Sequence, residues 1–406
     1  MTGAGEQSGA PGPGRRVLVG VTGGIAIYKA VELVRGLARE GFAPTVVTTA
    51  AARRFVTPLT FAAASRGPVL DDESAWQATG GWFEHIDAAR EADVMVVAPA
   101  TANTLAKMAA GIADNLLTAV YLAFRGPVIV APTMNWAMYE HPATQDNLRR
   151  LAGRGVEVLP TGRGELACGE EGLGRMAEPE AILAAVRRAF AAAAEGPLRG
   201  RRVVVTAGGT RERIDAVRYV GNRSSGKMGR ALADEAYLRG AEVTLVATHP
   251  VEGASYPTVP VESAEEMAAA VREATAAADV LVMAAAVADF KPREAESGKI
   301  ERGGRETLHL ELERTVDVLA AAARPGLLRV AFAAEAGPRI DRAREKKAAK
   351  GVELLVFNDV LAEGVGIGAD DNELTILTGD REIHVSRRDK RACAAAVLDA
   401  VEEALT

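Results

Sequence analysis

The chain begins a domain twice. Arg15-Arg16-Val17-Leu18-Val19 runs into Gly20-Val21-Thr22-Gly23-Gly24, and Arg201-Arg202-Val203-Val204-Val205 runs into Thr206-Ala207-Gly208-Gly209-Thr210. Each is a short β-branched run that ends in a glycine turn and leads into a helical pattern. A strand that is apolar at successive positions must be covered on both faces, as in a parallel sheet flanked by helices. Strand, glycine turn and helix in that order open a doubly wound α/β domain. Two such openings in 406 residues predict two α/β domains in tandem.

The stretches that follow keep the alternation. In the first half, residues 44–48, 94–98 and 128–131 read as buried strands, and 27–40 and 115–123 as helices. The second half repeats it, with strands at 242–247, 280–284, 328–332 and 354–357 and helices at 227–239, 264–277 and 340–350. An alanine-rich helix end over 187–200 stops at Glu195-Gly196-Pro197. The expected division is a disordered Gly/Pro-rich tail over 1–15, a domain over 16–190, a linker over 191–200 and a domain over 201–406.

Composition removes several classes of partner. A formal charge of −6 offers no basic surface for a phosphate backbone, which argues against nucleic acid. Cys168 and Cys393, the two cysteines, cannot build a disulfide framework and suit a reducing compartment. No apolar run is long enough to span a bilayer, and the first residues lack a signal peptide's apolar core. A cytoplasmic protein with no membrane partner is expected.

In the first domain, the Gly20–Ile25 turn lacks the spacing of the GxGxxG fingerprint. It still aims backbone N–H groups and a helix dipole at an anion, although glycines after a strand are as often only turn residues. Val97-Ala98-Pro99-Ala100-Thr101-Ala102-Asn103-Thr104 places small and hydroxyl residues directly after a strand. Gly111-Ile112-Ala113-Asp114-Asn115 precedes a helix, where an Asp-Asn pair also serves as an ordinary cap. Ala131-Pro132-Thr133-Met134-Asn135-Trp136 ends a third strand. Gly164-Glu165-Leu166-Ala167-Cys168-Gly169 then leads to Gly172-Leu173-Gly174-Arg175-Met176, a glycine-studded loop long enough for a mobile lid. A lone cysteine is more often an inert small hydrophobe than a catalyst. His85 has the right pKa range for acid–base work, and equally reads as a helix-start residue packed beside Trp82 and Phe83.

Taken in order, the Gly23-Gly24 turn with Tyr28-Lys29, His85, residues 99–104, residues 132–135 and Ala167-Cys168-Gly169 resemble the flavoprotein cysteine decarboxylases, in particular the phosphopantothenoylcysteine decarboxylases. The resemblance spans roughly residues 16–176 and implies FMN, held by Gly23, Gly24, Ile25, Thr48, Pro99, Ala100, Thr101 and Asn103. Losing CO₂ from a cysteine amide needs an electron sink, which the flavin provides by oxidising the thiol-bearing carbon. The resemblance implies His85 as base or orienting group near the thiol and Asn135 as holder of the substrate carboxylate and amide. It implies Cys168 as donor of the final proton. Thr133 stands where that family usually has alanine.

The second domain carries Gly221-Asn222-Arg223-Ser224-Ser225-Gly226-Lys227-Met228-Gly229, which lacks P-loop spacing and reads otherwise as a capped helix start. Met283-Ala284-Ala285-Ala286-Val287-Ala288-Asp289 puts an acid just beyond a buried strand, where open α/β sheets bind ligands. Lys299 lies in a polar loop, 294–304, able to close over a nucleotide. With Arg218-Tyr219-Val220, Phe332-Ala333-Ala334-Glu335 and Asn358-Asp359-Val360, these residues resemble the phosphopantothenate–cysteine ligases over about 202–396. The resemblance implies CTP as co-substrate, an acyl-cytidylate intermediate and Mg2+, with metal ligands unassigned. It implies Arg218 and Asn222 as positioners of the carboxylate and Lys299 as the charge opposite the transferring phosphate. Met283, Ala284, Ala285, Asp289, Lys299, Asp317, Phe332, Lys346 and Lys350 would line the nucleotide site. Lys346 and Lys350 share one helical face, which is also what a solvated charged helix over 342–350 presents. Departures from the family pattern are Ile300-Glu301-Arg302, Val316 and Ala336.

The joint resemblance implies a coenzyme A biosynthesis enzyme acting on small molecules, 4′-phosphopantothenate, cysteine and CTP. Relatives form homo-oligomers, trimers built up to dodecamers through the first domain and dimers through the second. A flavin-binding regulator without turnover is the main rival. A nicotinamide dehydrogenase ranks lower, because neither opening has GxGxxG with an acid at the next strand end.

Overall fold

A computed structural model describes residues 15–74, 84–165, 169–302, 306–335, 337, 339–359, 361, 364, 365, 368–379 and 381–406. All of the expected tail over 1–15 except Arg15, and Trp82, Phe83, Leu166, Ala167, Cys168, Ala336 and Val360 among the motif residues, lie outside them. The chain divides into two units, Met1–Phe190 and Ala191–Thr406.

Among the described residues, the first unit builds a six-stranded sheet, all parallel, from β1 (Arg16–Val21), β2 (Ala43–Thr48), β3 (Val69–Asp71), β4 (Val94–Ala100), β5 (Val128–Pro132) and β6 (Glu157–Val158). Their order, β3-β2-β1-β4-β5-β6, is the doubly wound one, with its switch point between β1 and β4. Every residue of β4 is buried, as the unbroken apolar run predicts. The helices are α1 (Ile27–Arg39), α2 (Pro58–Ser65), α3 (Glu84–Glu91), α4 (Ala102–Ala110), α5 (Leu116–Ala123), α6 (Trp136–Glu140), α7 (Pro142–Ala152) and α8 (Pro179–Ala193). Residues 162–175, read from sequence as a loop, form an antiparallel hairpin of β7 (Gly162–Glu165) and β8 (Glu171–Arg175). Alternating glycines hid the strand pattern there.

The second unit repeats the order and extends it. β9 (Arg202–Ala207) is followed by a small hairpin, β10 (Arg211–Arg213) and β11 (Tyr219–Gly221), then α9 (Lys227–Leu238), β12 (Glu242–Ala247), β13 (Thr258–Pro260), α10 (Ala264–Thr275) and β14 (Val280–Met283). A second hairpin, β15 (Phe290–Pro292) with β16 (Leu312–Arg314), precedes α11 (Val318–Ala321), β17 (Leu328–Glu335), α12 (Ile340–Lys350), β18 (Leu354–Asp359), β19 (Asp371–Leu377), β20 (Glu382–Asp389) and α13 (Lys390–Leu405). The eight strands run β13-β12-β9-β14-β17-β18-β19-β20. The last two are antiparallel, so this sheet is mixed rather than parallel throughout. Leu198 is fully buried in this unit's core, against the side of the sheet that α9 and α13 cover.

Candidate functional sites

In the first unit, the carboxyl ends of β1, β4 and β5 form one continuous edge. Thr22, just past β1, donates its hydroxyl to the Pro99 carbonyl at 2.7 Å and lies 3.3 Å from the Thr101 hydroxyl. The Thr101 amide donates back to Thr22 Oγ1 at 3.2 Å, and its hydroxyl continues to Thr104 at 3.3 Å. Both ends of the switch point are thereby tied by buried hydroxyls, each of which would cost about 1–3 kcal/mol if left unpaired. Gly23 is required by packing, since a Cβ there would stand 2.6–2.9 Å from Ala51. Gly24 faces open space with Thr101 Cγ2 at 3.8 Å, and α1 starts without a side-chain cap. An uncapped helix start beside open glycine backbone suits a phosphate, with Ile25 and Tyr28 exposed alongside for a flat apolar group. These residues fit FMN.

The other expected flavin residues divide. Pro99 and Ala100 are buried at the strand end, joined to Ala98 through a cis Ala98-Pro99 bond, and Asn103 is exposed on α4. Thr48 is buried, its hydroxyl turned to the Leu70 carbonyl at 3.4 Å, which gives it a role within the sheet. Lys29 is also internal, paired with Glu178 at 2.7 Å. Asn115 is the N-cap of α5, accepting from the Thr118 amide at 3.0 Å.

Beyond β5 the edge continues to Asn135. The Thr133 amide donates to the Ala100 carbonyl at 3.0 Å, and the Met134 amide to Gly174 of β8 at 3.1 Å. Asn135 caps α6 through Ala137, while its amide nitrogen donates to Glu170 at 3.0 Å. Trp136 Nε1 donates to the same carboxylate oxygen at 2.9 Å. Gly172 and Gly174 allow this seating, because a Cβ would meet Trp136 at 2.5 Å or the Met134 carbonyl at 2.1 Å. The β7–β8 hairpin is thus docked on Asn135, while Cys168 lies outside the described residues. His85 stands on the exposed first turn of α3, which follows residues 75–83.

In the second unit a cleft of about 800 Å³ opens at the carboxyl ends of β14, β17 and β18, beside the start of α9. It gathers Asn222, Met283, Ala284, Ala285, Asp289, Asp317, Phe332, Lys346 and Lys350. Hydrogen bonds from Ala285 N to Thr206 Oγ1 (3.0 Å), Ala286 N to Gly208 O (2.8 Å) and Ala288 N to Thr210 Oγ1 (2.9 Å) stitch one wall to the β9 turn. Gly209 lets the next loop approach, since a Cβ would lie 2.3 Å from the Asn222 carbonyl. Asn222 itself donates to the Val287 carbonyl at 2.8 Å, bridging both sides. On the opposite wall, buried Glu335 holds Lys346 and, at 3.7 Å, Arg342, while Lys350 faces Asp317 at 4.0 Å. The charged helix α12 therefore contributes Lys346 and Lys350 to the site and is not only a solvated surface.

Arg218 and Lys299 stand apart from the other expected ligase residues, since neither lines this cleft. Arg218 is bound to Asp215 at 2.5 Å and to the Ile300 carbonyl at 3.2 Å. The loop carrying Lys299 is pinned to the β10–β11 hairpin by Ala216 N to Gly298 O, Glu296 N to Ile214 O and Ile300 N to Asp215. Asp215 organises this corner. Burial pushes its pKa up, but amides of Val217, Arg218 and Ile300 and the Arg218 guanidinium prevail and bring it to about 2. Sequence reading passed over Asp215 and Glu335 as partners, and over Lys227 and Lys390, which also line the cleft. The available signal was a lysine at the first position of a helix, against the helix dipole.

Comparison with known proteins bears on both units. Residues 7–191 match the family model described as Flavoprotein, and 198–405 that of the DNA/pantothenate metabolism flavoprotein C-terminal domain. The coenzyme A biosynthesis bifunctional protein CoaBC of Bacillus subtilis (strain 168) is 44% identical over 375 residues, 90% of this chain and 91% of that protein. Its counterpart from Vibrio cholerae serotype O1 (strain ATCC 39315 / El Tor Inaba N16961) is 40% identical over 400 residues, 96% and 98% respectively. The solved C-terminal domain of a CoaBC protein is 34% identical, with a TM-score of 0.44, covering 52% of this chain and 98% of that one.

Proposed function

Because the chain belongs to the family of coenzyme A biosynthesis bifunctional proteins, we propose that its second unit joins 4′-phosphopantothenate to cysteine at the expense of CTP and its first decarboxylates the product. The enzyme is bifunctional, a ligase and a decarboxylase acting in succession on small molecules, and a flavoprotein. The flavin domain is assigned to 16–190 and the ligase domain to 201–406. The observation that carries the ligase reading is the single cleft in which every residue assigned to the nucleotide except Lys299 meets.

In the ligase cleft, a substrate carboxylate oxygen attacks the α-phosphorus of CTP, the bond to the bridging oxygen breaks, and pyrophosphate leaves. The amine of cysteine then attacks the acyl carbon and expels CMP. Asn222, fixed between the β11 loop and Val287, is placed to hold the carboxylate. Lys346 and Lys350, oriented by Glu335 and Asp317, offset nucleotide charge, and the backbone of 283–285 meets the base. Mg2+ enters with the triphosphate and needs few protein ligands. Arg218, in the β10–β11 hairpin, and Lys299, on the loop pinned to it, keep their proposed roles as positioner of the carboxylate and as the charge opposite the transferring phosphate.

In the decarboxylase site, Gly23, Gly24, Ile25, Pro99, Ala100, Thr101 and Asn103 hold FMN, which when bound supplies the two-electron sink. Asn135, seated by Glu170, positions the substrate carboxylate and amide; Cys168 delivers the last proton; His85 serves as base or orienting group near the thiol. Homo-oligomeric assembly and a cytoplasmic setting complete the reading.

The test uses purified protein with phosphopantothenate, cysteine and either CTP or ATP, following pyrophosphate and CO₂ separately. Steady-state pyrophosphate release that needs phosphopantothenate, cysteine and CTP together, with at most one equivalent formed when cysteine is left out, followed by CO₂ from a yellow protein, is the expected result. A colourless protein after soaking with FMN, or release with neither nucleotide, overturns it.

A further inference from the structure

Two positive side chains in the ligase cleft have no part in the roles above. Lys227 is the first residue of α9 and Lys390 the first residue of α13, and both line the cleft. A cation at a helix N-terminus faces the positive end of the dipole, a cost of about 0.3–1 kcal/mol each. Departures of this kind from local preference gather at functional sites. Here two occur at one end of one cavity.

Their contacts converge. Lys227 Nζ reaches Asp370 Oδ1 at 2.6 Å and the Gly368 carbonyl at 3.2 Å. Lys390 Nζ is held by the Ala369 carbonyl and, at 3.4 Å, by that of Asp371. Both ammonium groups are fastened to residues 368–371, and Asp370 is the carboxylate that answers Lys227. Its side chain is 88% exposed, so the pair is weak and easily displaced. The neighbouring Asp371 carboxylate is engaged by Arg387 at 3.1 Å. Lys390 is half-buried with carbonyl partners, and burial, then the charge of Lys227, lowers its pKa. The Asp389 carboxylate caps the start of α13, so two lysines and the uncapped start of α9 are set against the one exposed carboxylate of Asp370 and leave a positive surplus facing the cavity.

We propose that Lys227 and Lys390 form a phosphate subsite of the ligase cleft, with the Asp370 carboxylate occupying it until a substrate phosphate takes its place. The assignment rests on the ligase reading for its substrates. The phosphate comes either from the nucleotide's β,γ end or from the ester of phosphopantothenate, and both share the chemistry of a multiply charged oxyanion that two ammonium groups can clasp.

The experiment uses the full chain as Lys227→Met, Lys390→Met and Asp370→Asn variants. Binding of inorganic pyrophosphate by calorimetry comes first, since it needs no turnover. Each lysine variant should bind about tenfold more weakly, as expected for loss of one charge-assisted contact. Asp370→Asn should bind several-fold more tightly, an effect a merely structural role does not produce. Steady-state pyrophosphate release then assigns the source. A rise of about tenfold in KM for CTP alone marks the nucleotide end, and the same rise for phosphopantothenate alone marks the ester. Arginine at either position should restore part of the loss. Folded variants that bind pyrophosphate as the unaltered protein does, with Asp370→Asn also unchanged, overturn the subsite. An unaltered protein that binds pyrophosphate yet ligates nothing overturns the ligase reading and leaves the subsite standing.

Discussion

At the scale of single residues, the side chains that organise the second unit are mostly not those that carry motifs. Asp215 has a fully buried carboxylate that collects amide hydrogens from Val217, Arg218 and Ile300, and the Arg218 guanidinium. Nothing in Arg213-Ile214-Asp215-Ala216 announces this, because the Ile300 contact joins positions that are remote in the chain. Glu335, by contrast, sits in a motif, yet its work of aiming Lys346 depends on α12 folding back over β17. The Asp215 carboxyl, near 3.8 when unperturbed and about 2 in the fold, stabilises the protein fully above about 3.8 and loses that contribution as pH falls toward about 2. Asp215→Asn should therefore lower the melting temperature of the ligase unit at neutral pH, loosen the Lys299 loop and slow ligation. The gap between the two melting curves should close between about pH 4 and about pH 2. A gap that persists at the acid end would show that the carboxylate's charge is not what holds the loop.

At the scale of elements, periodicity read the longer parallel strands and several of their helices, and missed the short parallel strands β3, β6 and β13. β2, β4, β5, β12, β17 and β18 are mostly apolar, and their expected and observed spans differ by a few residues at most. The antiparallel pieces escaped. β19 and β20 bury one face only, so Asp371-Asn372-Glu373-Leu374 looks like a loop, and much of β20 is exposed and charged. β7–β8 escaped because its glycines, needed against Trp136 and Met134, carry no strand signal. Gly174→Ala tests that hairpin. Its φ of +129° disfavours a side chain, and the added Cβ would stand 2.1 Å from the Met134 carbonyl. The hairpin should lift and part Glu170 from Asn135 and Trp136, cutting CO₂ release at least about tenfold while pyrophosphate release is kept. Unchanged CO₂ release in a folded variant would separate the docking seen here from the decarboxylation.

At the scale of the whole molecule, one strand order is used twice, and each unit keeps a core of its own. Leu33 is fully buried on α1 of the first unit, and Leu398 on α13 of the second. Both openings were legible in the sequence because a fully buried strand ending in glycine leaves few alternatives. The cleft was legible as a set of residues but not as a shape, since closing it takes α12, the β14 loop and the start of α13 from distant parts of the chain. Separate cores make a definite expectation. Leu33→Ala should cost its unit about 2–5 kcal/mol, and Leu398→Ala the other a similar amount. In a thermal scan read by flavin fluorescence and by ligase activity, Leu33→Ala should advance flavin release and spare pyrophosphate formation. Leu398→Ala, on the helix that begins at Lys390, should do the reverse and also raise the KM of whichever substrate brings its phosphate there. Loss of both activities at one temperature in either variant would mean that the two units unfold as a single cooperative body, and the two sites would then have to be treated as one thermodynamic system.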